Sequence, residues 1–240
     1  MLPRAKRAEA SDSASAPLRP PRRSRSPGAR ASGRGLDRAG RRLAQQRYPE
    51  AERAYRDLIA DQRIALGADD PDTLTTCVDL AWAIGMQGRC GEAAQMCATV
   101  AETESRVIGP EHIRTLDARY DLARWLLGDG RLDEFHAEAE DLLAVSVRVL
   151  GARHPMSLLT RAVIARSRAA EGHDAGVELD EILAELDASL GPLDYRTVLV
   201  RQDRAEALAT SDRRRQLGES GLERPRHDED DSPTPPASPE

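Results

Sequence analysis

A short segment recurs along this chain at a nearly constant spacing. Each copy is an apolar residue and a glycine followed by a loop, and the glycines stand at positions 67, 109, 151 and 191, which are 42, 42 and 40 residues apart. Self-similarity at such a period indicates an array of stacked structural units. Stacked arrays present extended surfaces rather than catalytic pockets, so the spacing already favours a role in binding.

Each unit is predicted to contain two helices. In the second unit, Asp70 is expected to cap helix A and Pro71 to occupy its first position, where the missing N–H costs nothing. Apolar residues follow at a helical period as far as Gly85, and a break at Gln87-Gly88-Arg89 precedes helix B. The predicted helices are 36–46, 48–65, 71–85, 90–108, 113–128, 132–150, 155–170, 175–190 and 195–209.

The two ends of the chain differ in charge from its middle. Residues 1–35 carry nine basic and two acidic side chains, and residues 211–240 carry five basic and eight acidic ones. The net charge of −6 then leaves −6 − 7 + 3 = −10 for residues 36–210. Both ends are poor in apolar residues and cannot offset the entropy of ordering, so we expect a disordered arm and a disordered tail. The helical domain between them divides into units 36–66, 67–108, 109–150 and 151–190 and a capping helix at 195–209.

Motifs for catalysis, metal binding and membrane insertion are missing from the sequence. No phosphate-binding loop, nucleophile elbow or paired-histidine zinc motif occurs, so we expect no enzyme, cofactor or metal site. Cys77, Cys90 and Cys97 are predicted to be free thiols in a reducing compartment. His112 and His154 occupy equivalent repeat positions and are predicted to be loop or capping residues rather than a metal pair. No apolar run could span a membrane and no secretory signal is present, which favours the cytoplasm.

The repeated pattern resembles the tetratricopeptide repeat, in its 42-residue kinesin-light-chain-like variety found in bacterial regulators. A single lysine, Lys6, among 35 basic residues is typical of a GC-rich, actinobacterial-like genome. The Leu-Ala pair of helix A occurs as Leu80-Ala81, Leu122-Ala123 and Ile164-Ala165, and the glycine between helices as Gly88, Gly130 and Gly172, with Gln46 in the first unit. The resemblance implies a right-handed superhelix over roughly 36–210 that binds a protein or peptide on its concave face.

The resemblance also indicates which side chains face the groove. The residues just before and just after each Leu-Ala pair should lie on the concave face, with Tyr120 close by. The expected contact residues are Asp79, Trp82, Tyr120, Asp121, Arg124, Arg166 and Asp203. An alternative is that these charges form ion pairs on a solvated helix face. If they bind a partner, reversing the charge of Arg124 and Arg166 should abolish binding and leave melting unchanged.

Two further functions remain open from the sequence. Similar arrays form the C-terminal part of bacterial regulators, so the chain could be a sensor fragment of a transcriptional or NTP-dependent regulator. Residues 4–42 are basic and could bind nucleic acid in a salt-sensitive manner. Because no nucleic-acid-binding fold accompanies them, the favoured function is that of a non-catalytic adaptor for a protein segment.

Overall fold

The computed structural model describes residues 29–216, together with the side chains of residues 35–37 and 39–213. These residues form helices joined by short turns and contain no strand. The helices are α1 Ala29–Ala44, α2 Tyr48–Ala65, α3 Pro71–Gly85, α4 Cys90–Ile108, α5 Ile113–Asp129, α6 Leu132–Leu150, α7 Pro155–Glu171, α8 Gly176–Leu190 and α9 Tyr195–Gln216.

Helices pack in chain order. Each helix from α1 to α5 contacts the next, and the A helices α3, α5, α7 and α9 also contact one another along one side. The predicted alanines Ala81, Ala123 and Ala165 are fully buried where helix A meets its neighbours. A larger side chain at these positions would force the helices apart. The all-α solenoid predicted from the sequence is therefore confirmed.

The outer helices are longer than predicted. Helix α1 begins at Ala29 rather than at residue 36, and α9 continues to Gln216 rather than ending at residue 209. Leu36, Ala39 and Leu43 are buried, so one helical face anchors α1 to the core. The predictions for residues 1–28 and 217–240 lie outside the described residues.

The turns before the A helices are built alike. The turn glycines have positive φ angles, for example +98° at Gly109, a region that other residues rarely adopt. The side chains of Asp70 and Asp194 each accept a hydrogen bond from the backbone N–H two residues later, at 2.9 and 3.0 Å. His112 and His154 do the same through Nδ1, at 3.2 and 3.1 Å. The predicted capping role of these residues is confirmed.

None of the helices in residues 29–216 combines the length and the apolar character needed to cross a membrane.

Candidate functional site

The inner side of the solenoid encloses a cavity of about 490 Å³. Its walls come from the inner faces of α3, α5, α7 and α9, the start of α4 and the turn between α1 and α2, so that the first unit and the last helix share one cavity. The lining residues are Gln46, Tyr48, Trp82, Gly85, Met86, Gly88, Cys90, Arg124, Trp125, Gly128, Arg166, Leu199, Gln202, Asp203 and Glu206.

Four of the seven predicted contact residues line this cavity, namely Trp82, Arg124, Arg166 and Asp203. The other three do not, because they are packed between helices. Asp79, Tyr120 and Asp121 each expose 4% or less of their surface. The helical period places them on the correct side of the A helices, but neighbouring helices cover them. These three side chains are buried in this structure and do not line the cavity, and their role in partner contact stays a prediction.

Asp203 holds two arginines from two other helices. Its Oδ2 accepts a hydrogen bond from Arg124 Nη1 on α5 at 3.0 Å, and its Oδ1 accepts one from Arg166 Nη1 on α7 at 2.9 Å. The Asp203 side chain is 2% exposed, and those of Arg124 and Arg166 are 12% and 23% exposed. Burial by itself would raise the pKa of Asp203, but the two guanidinium groups outweigh it and hold this pKa below 3.8. The ion pairs that the sequence left open do form, but in the interior rather than on a solvated face.

Arg124 spans two repeats to reach Asp203. Trp82, Arg124 and Arg166 occupy equivalent positions in successive A helices. Trp82 and Arg166 each donate to an aspartate on the next A helix, Asp121 and Asp203 respectively. On α7 the position equivalent to these aspartates holds Val163, which is fully buried and has no side-chain acceptor for Arg124. Arg124 therefore extends past α7 to α9, 79 residues along the chain. It also donates to the Tyr120 hydroxyl at 3.4 Å, and burial raises the pKa of that hydroxyl, which therefore stays protonated.

Two tryptophans form the aromatic part of the cavity wall. Trp82 Nε1 donates to Asp121 Oδ1 at 3.1 Å, and the Trp82 and Trp125 rings meet edge to face with centroids 5.2 Å apart. Gly85 makes room for this arrangement. A Cβ added at this position would lie 2.4 Å from the Trp125 ring, so only glycine permits the close approach.

Burial of the arginines overturns one expectation from the sequence. Reversing the charges of Arg124 and Arg166 cannot leave melting unchanged, because each substitution would place a carboxylate against the buried Asp203. A charge-reversal test of binding must therefore use cavity residues that do not pair with Asp203.

Sequence reasoning did not include several cavity residues in the predicted site. Tyr48, Met86, Gln202 and Glu206 line the cavity but are not among the expected contact residues. Glu206 follows the degenerate Arg204-Ala205 pair, in the position that Trp82, Arg124 and Arg166 hold in other units. Tyr48 and Met86 flank the turns between paired helices, and no periodic signal in the sequence selects those turns.

Histidines and cysteines do not form a metal site in the described part of the chain. Residues 29–216 contain no cluster of three or more His, Cys, Asp or Glu side chains that could hold an ion. Cys77, Cys90 and Cys97 are free thiols, and Cys97 is buried. Burial also raises the pKa of Cys77 and Cys90, so these thiols stay protonated near neutral pH.

Comparison with known proteins relates this architecture to a family. The sequence model of the tetratricopeptide repeat matches residues 40–72 and 115–155. These segments cover most of the first unit and most of the third, and each extends into the start of the following unit. A search of curated proteins found no significant match.

Solved structures extend this similarity to the whole solenoid. Two crystal structures of nearly identical TPR-like repeats from a putative kinesin light chain of Podosopora anserina each share 22% identity with this chain. One, a single-substitution variant, covers 82% of this chain and 93% of its own with a TM-score of 0.58. The other covers 80% and 91% with a TM-score of 0.56. The helices of residues 29–216 thus have the fold of a tetratricopeptide-repeat solenoid.

Proposed function

We propose that this chain is a non-catalytic adaptor that binds a segment of another protein in the cavity on its concave side. Tetratricopeptide repeats generally mediate protein–protein interaction, and folds of this kind are typically non-catalytic. The observation that carries the proposal is the cavity itself, where aromatic, thioether and charged side chains from five helices face a common space. Concave sites of this composition suit side chains of a bound segment.

The cavity residues divide into those that build the site and those that are free to contact a partner. Arg124 and Asp203 are buried and join helices, so they shape the cavity. Glu206 lies at the rim with 66% of its side chain exposed, and Met86 is half-buried beside it in the lining. We therefore assign recognition to Met86 and Glu206, with Trp82 and Arg166 contributing their accessible edges.

A displayed library of random linear peptides provides a direct test. Peptides selected on the full chain are synthesised with a fluorophore, and their affinity is measured by anisotropy. The double variant Met86→Glu with Glu206→Arg should weaken binding by roughly tenfold or more, which corresponds to about 1.4 kcal/mol. Helicity should be retained and melting should change little, because Glu206 is exposed and Met86 is only half-buried.

Glu102→Arg on α4 is the matched control. Glu102 is exposed, has no ion-pair partner among the described residues and does not line the cavity. This control should bind the selected peptides like the unaltered chain. Failure to enrich any peptide, or equal binding by the cavity variant and the control, would overturn the proposal.

A further inference from the structure

The cavity contains more hydrogen-bond donors than its own acceptors satisfy. Arg166 donates one hydrogen bond, from Nη1 to Asp203, and its remaining N–H groups have no acceptor among residues 29–216 within hydrogen-bond distance. Glu206 Oε2 lies 3.8 Å from Arg166 Nε, which is too far for a hydrogen bond. The indole N–H of Trp125 also has no acceptor in the described chain, but it is shielded from solvent, so the unmet donors that a ligand can reach are those of Arg166. The N–H groups of Arg166 that have no acceptor can therefore donate to a group that enters the cavity.

The charges that line the cavity also favour the binding of an anionic group. Arg124 and Arg166 share the single carboxylate of Asp203. The aspartates Asp79 and Asp121 lie between helices and are not part of the lining. The only other acidic side chain of the lining, Glu206, is mostly exposed to solvent, which screens its charge. Arg166 thus shares its buried counterion Asp203 with Arg124, and its other counterion, Glu206 at 3.8 Å, is mostly exposed.

The remainder of the cavity is apolar and limited in size. The rings of Tyr48, Trp82 and Trp125 and the side chains of Met86 and Leu199 line it. Its volume of about 490 Å³ falls within the roughly 300–1,000 Å³ typical of small-ligand sites. The Arg124–Asp203 pair, which joins α5 to α9, forms part of the cavity wall.

We propose that this cavity binds a free small molecule that carries a carboxylate on an aromatic or aliphatic body, with Arg166 donating to the carboxylate and Trp82 and Trp125 contacting the body. This inference does not require that a protein segment binds in the same place. Guanidinium–carboxylate hydrogen bonds are charge-assisted and can be bidentate, which gives the carboxylate a fixed position. The aromatic walls supply the apolar contact that a simple inorganic anion would not use.

Tryptophan fluorescence reports on this site directly, because Trp82 and Trp125 are the two tryptophans of the chain and both line the cavity. The full chain is titrated with phenylacetate and hexanoate, and in parallel with phenylacetamide, hexanamide and acetate. The carboxylates with an apolar body should give a saturable change in emission. The neutral amides and acetate should bind at least roughly tenfold more weakly.

Variants on α7 separate a binding role of Arg166 from a structural one. Arg166→Gln should weaken phenylacetate binding by roughly tenfold or more, and Arg166→Lys should restore part of it because the charge returns. Arg161→Gln is the control, since Arg161 pairs with Glu178 outside the cavity and should leave binding unchanged. Melting curves of all three variants identify any that fail to fold.

Each negative result has a distinct meaning. An absent or non-saturable response to phenylacetate, or equal affinity for acid and amide, overturns the inference. Equal affinity for acetate and phenylacetate removes the role of the aromatic wall and also overturns it. Peptide binding without carboxylate binding would support the adaptor function and overturn only this inference. Carboxylate binding without peptide binding would support this inference and overturn the adaptor function.

Discussion

Two regions of this solenoid are built in different ways. The turn edge contains the turns at Gly67, Gly109, Gly151 and Gly191, and the inner face is the side of the A helices that lines the cavity. At the turn edge the same contacts recur, and the hydroxyls of Thr73, Thr115 and Ser157 donate to the glycine carbonyl six residues earlier at 2.9, 2.8 and 2.8 Å. On the inner face equivalent positions hold different residues and make different contacts, as with Trp82 to Asp121 and Arg124 to Asp203. Repeated local contacts specify the fold, whereas unique long-range contacts shape the cavity.

This comparison predicts that the largest losses of stability come from the inner face. Asp203→Ala should reduce the free energy of unfolding by about 3–5 kcal/mol, because it leaves two largely buried guanidinium groups without their carboxylate. Urea unfolding followed by circular dichroism measures the change. Glu206→Ala on the same helix should stay within about 0.5 kcal/mol. A small effect of Asp203→Ala would show that the ion pairs do not hold α5, α7 and α9 together.

The aromatic contact of the inner face should rank second. Trp82→Phe keeps a ring against Trp125 but removes the N–H that donates to buried Asp121, and should cost about 1–3 kcal/mol. Trp125→Phe is the matched change, because the Trp125 N–H has no acceptor in the part of the chain that the structure describes. The same unfolding experiment should give Trp125→Phe the smaller loss. If Trp125→Phe costs more, ring packing outweighs the hydrogen bond.

A single contact of the turn edge should matter less. Thr115→Val removes the hydroxyl that donates to Gly109 and should cost about 1 kcal/mol. Thr197 stands at the equivalent position in the first turn of α9, but its buried hydroxyl has no partner among the described residues. Thr197→Val should therefore be neutral or slightly stabilising. Equal losses from both substitutions would show that the repeated hydroxyl contact does not stabilise the turn.

The smallest expected effect is the pH dependence of one helix cap. Burial lowers the pKa of His154 below 6.5, and Arg196 adds to this. The folded chain therefore binds fewer protons than the unfolded chain as the pH falls below 6.5, so the contribution of this cap is complete above pH 6.5 and declines below it. Protonation also removes the Nδ1 lone pair that accepts the Met156 N–H.

Melting temperatures at several pH values between neutrality and about pH 5 test this cap. His154→Asn keeps an acceptor at the start of α7 and does not titrate, so its melting temperature should fall less on acidification than that of the unaltered chain. Asp70 serves the same role in α3 with a carboxylate. An identical pH profile for both proteins would show that His154 does not couple folding to protons.

Helix positions were predictable because their determinants are local. A capping residue, Pro71 at the first helical position and a repeated turn glycine set the ends of α3 and α4 where the sequence placed them. The outer ends of the first and last helices were not predicted correctly. The N-terminal end of α1 and the C-terminal end of α9 lie outside the repeated pattern, and their predicted bounds were short by seven residues each.

The repeat identified four residues of the cavity, and the other lining residues did not follow from it. The helical period placed Trp82, Arg124, Arg166 and Asp203 on the inner side, and all four line the cavity. The period could not show that Asp79 and Asp121 are covered by neighbouring helices, because coverage depends on how tightly the solenoid curves. It also gave no reason to include Met86 or Tyr48, whose exposure depends on the angle between paired helices.

The sequence by itself determined the repeat, the helices, their caps and the small residues at their contacts, because each depends on residues close together in the chain or one period apart. Only the tertiary structure decided that the charges of the inner face are internal. Val163 offers no acceptor to Arg124, and the curvature of the array brings Asp203 within 3.0 Å of a guanidinium from a helix two units away. That contact depends on the summed rotation of successive repeats, a quantity that no local pattern of residues encodes.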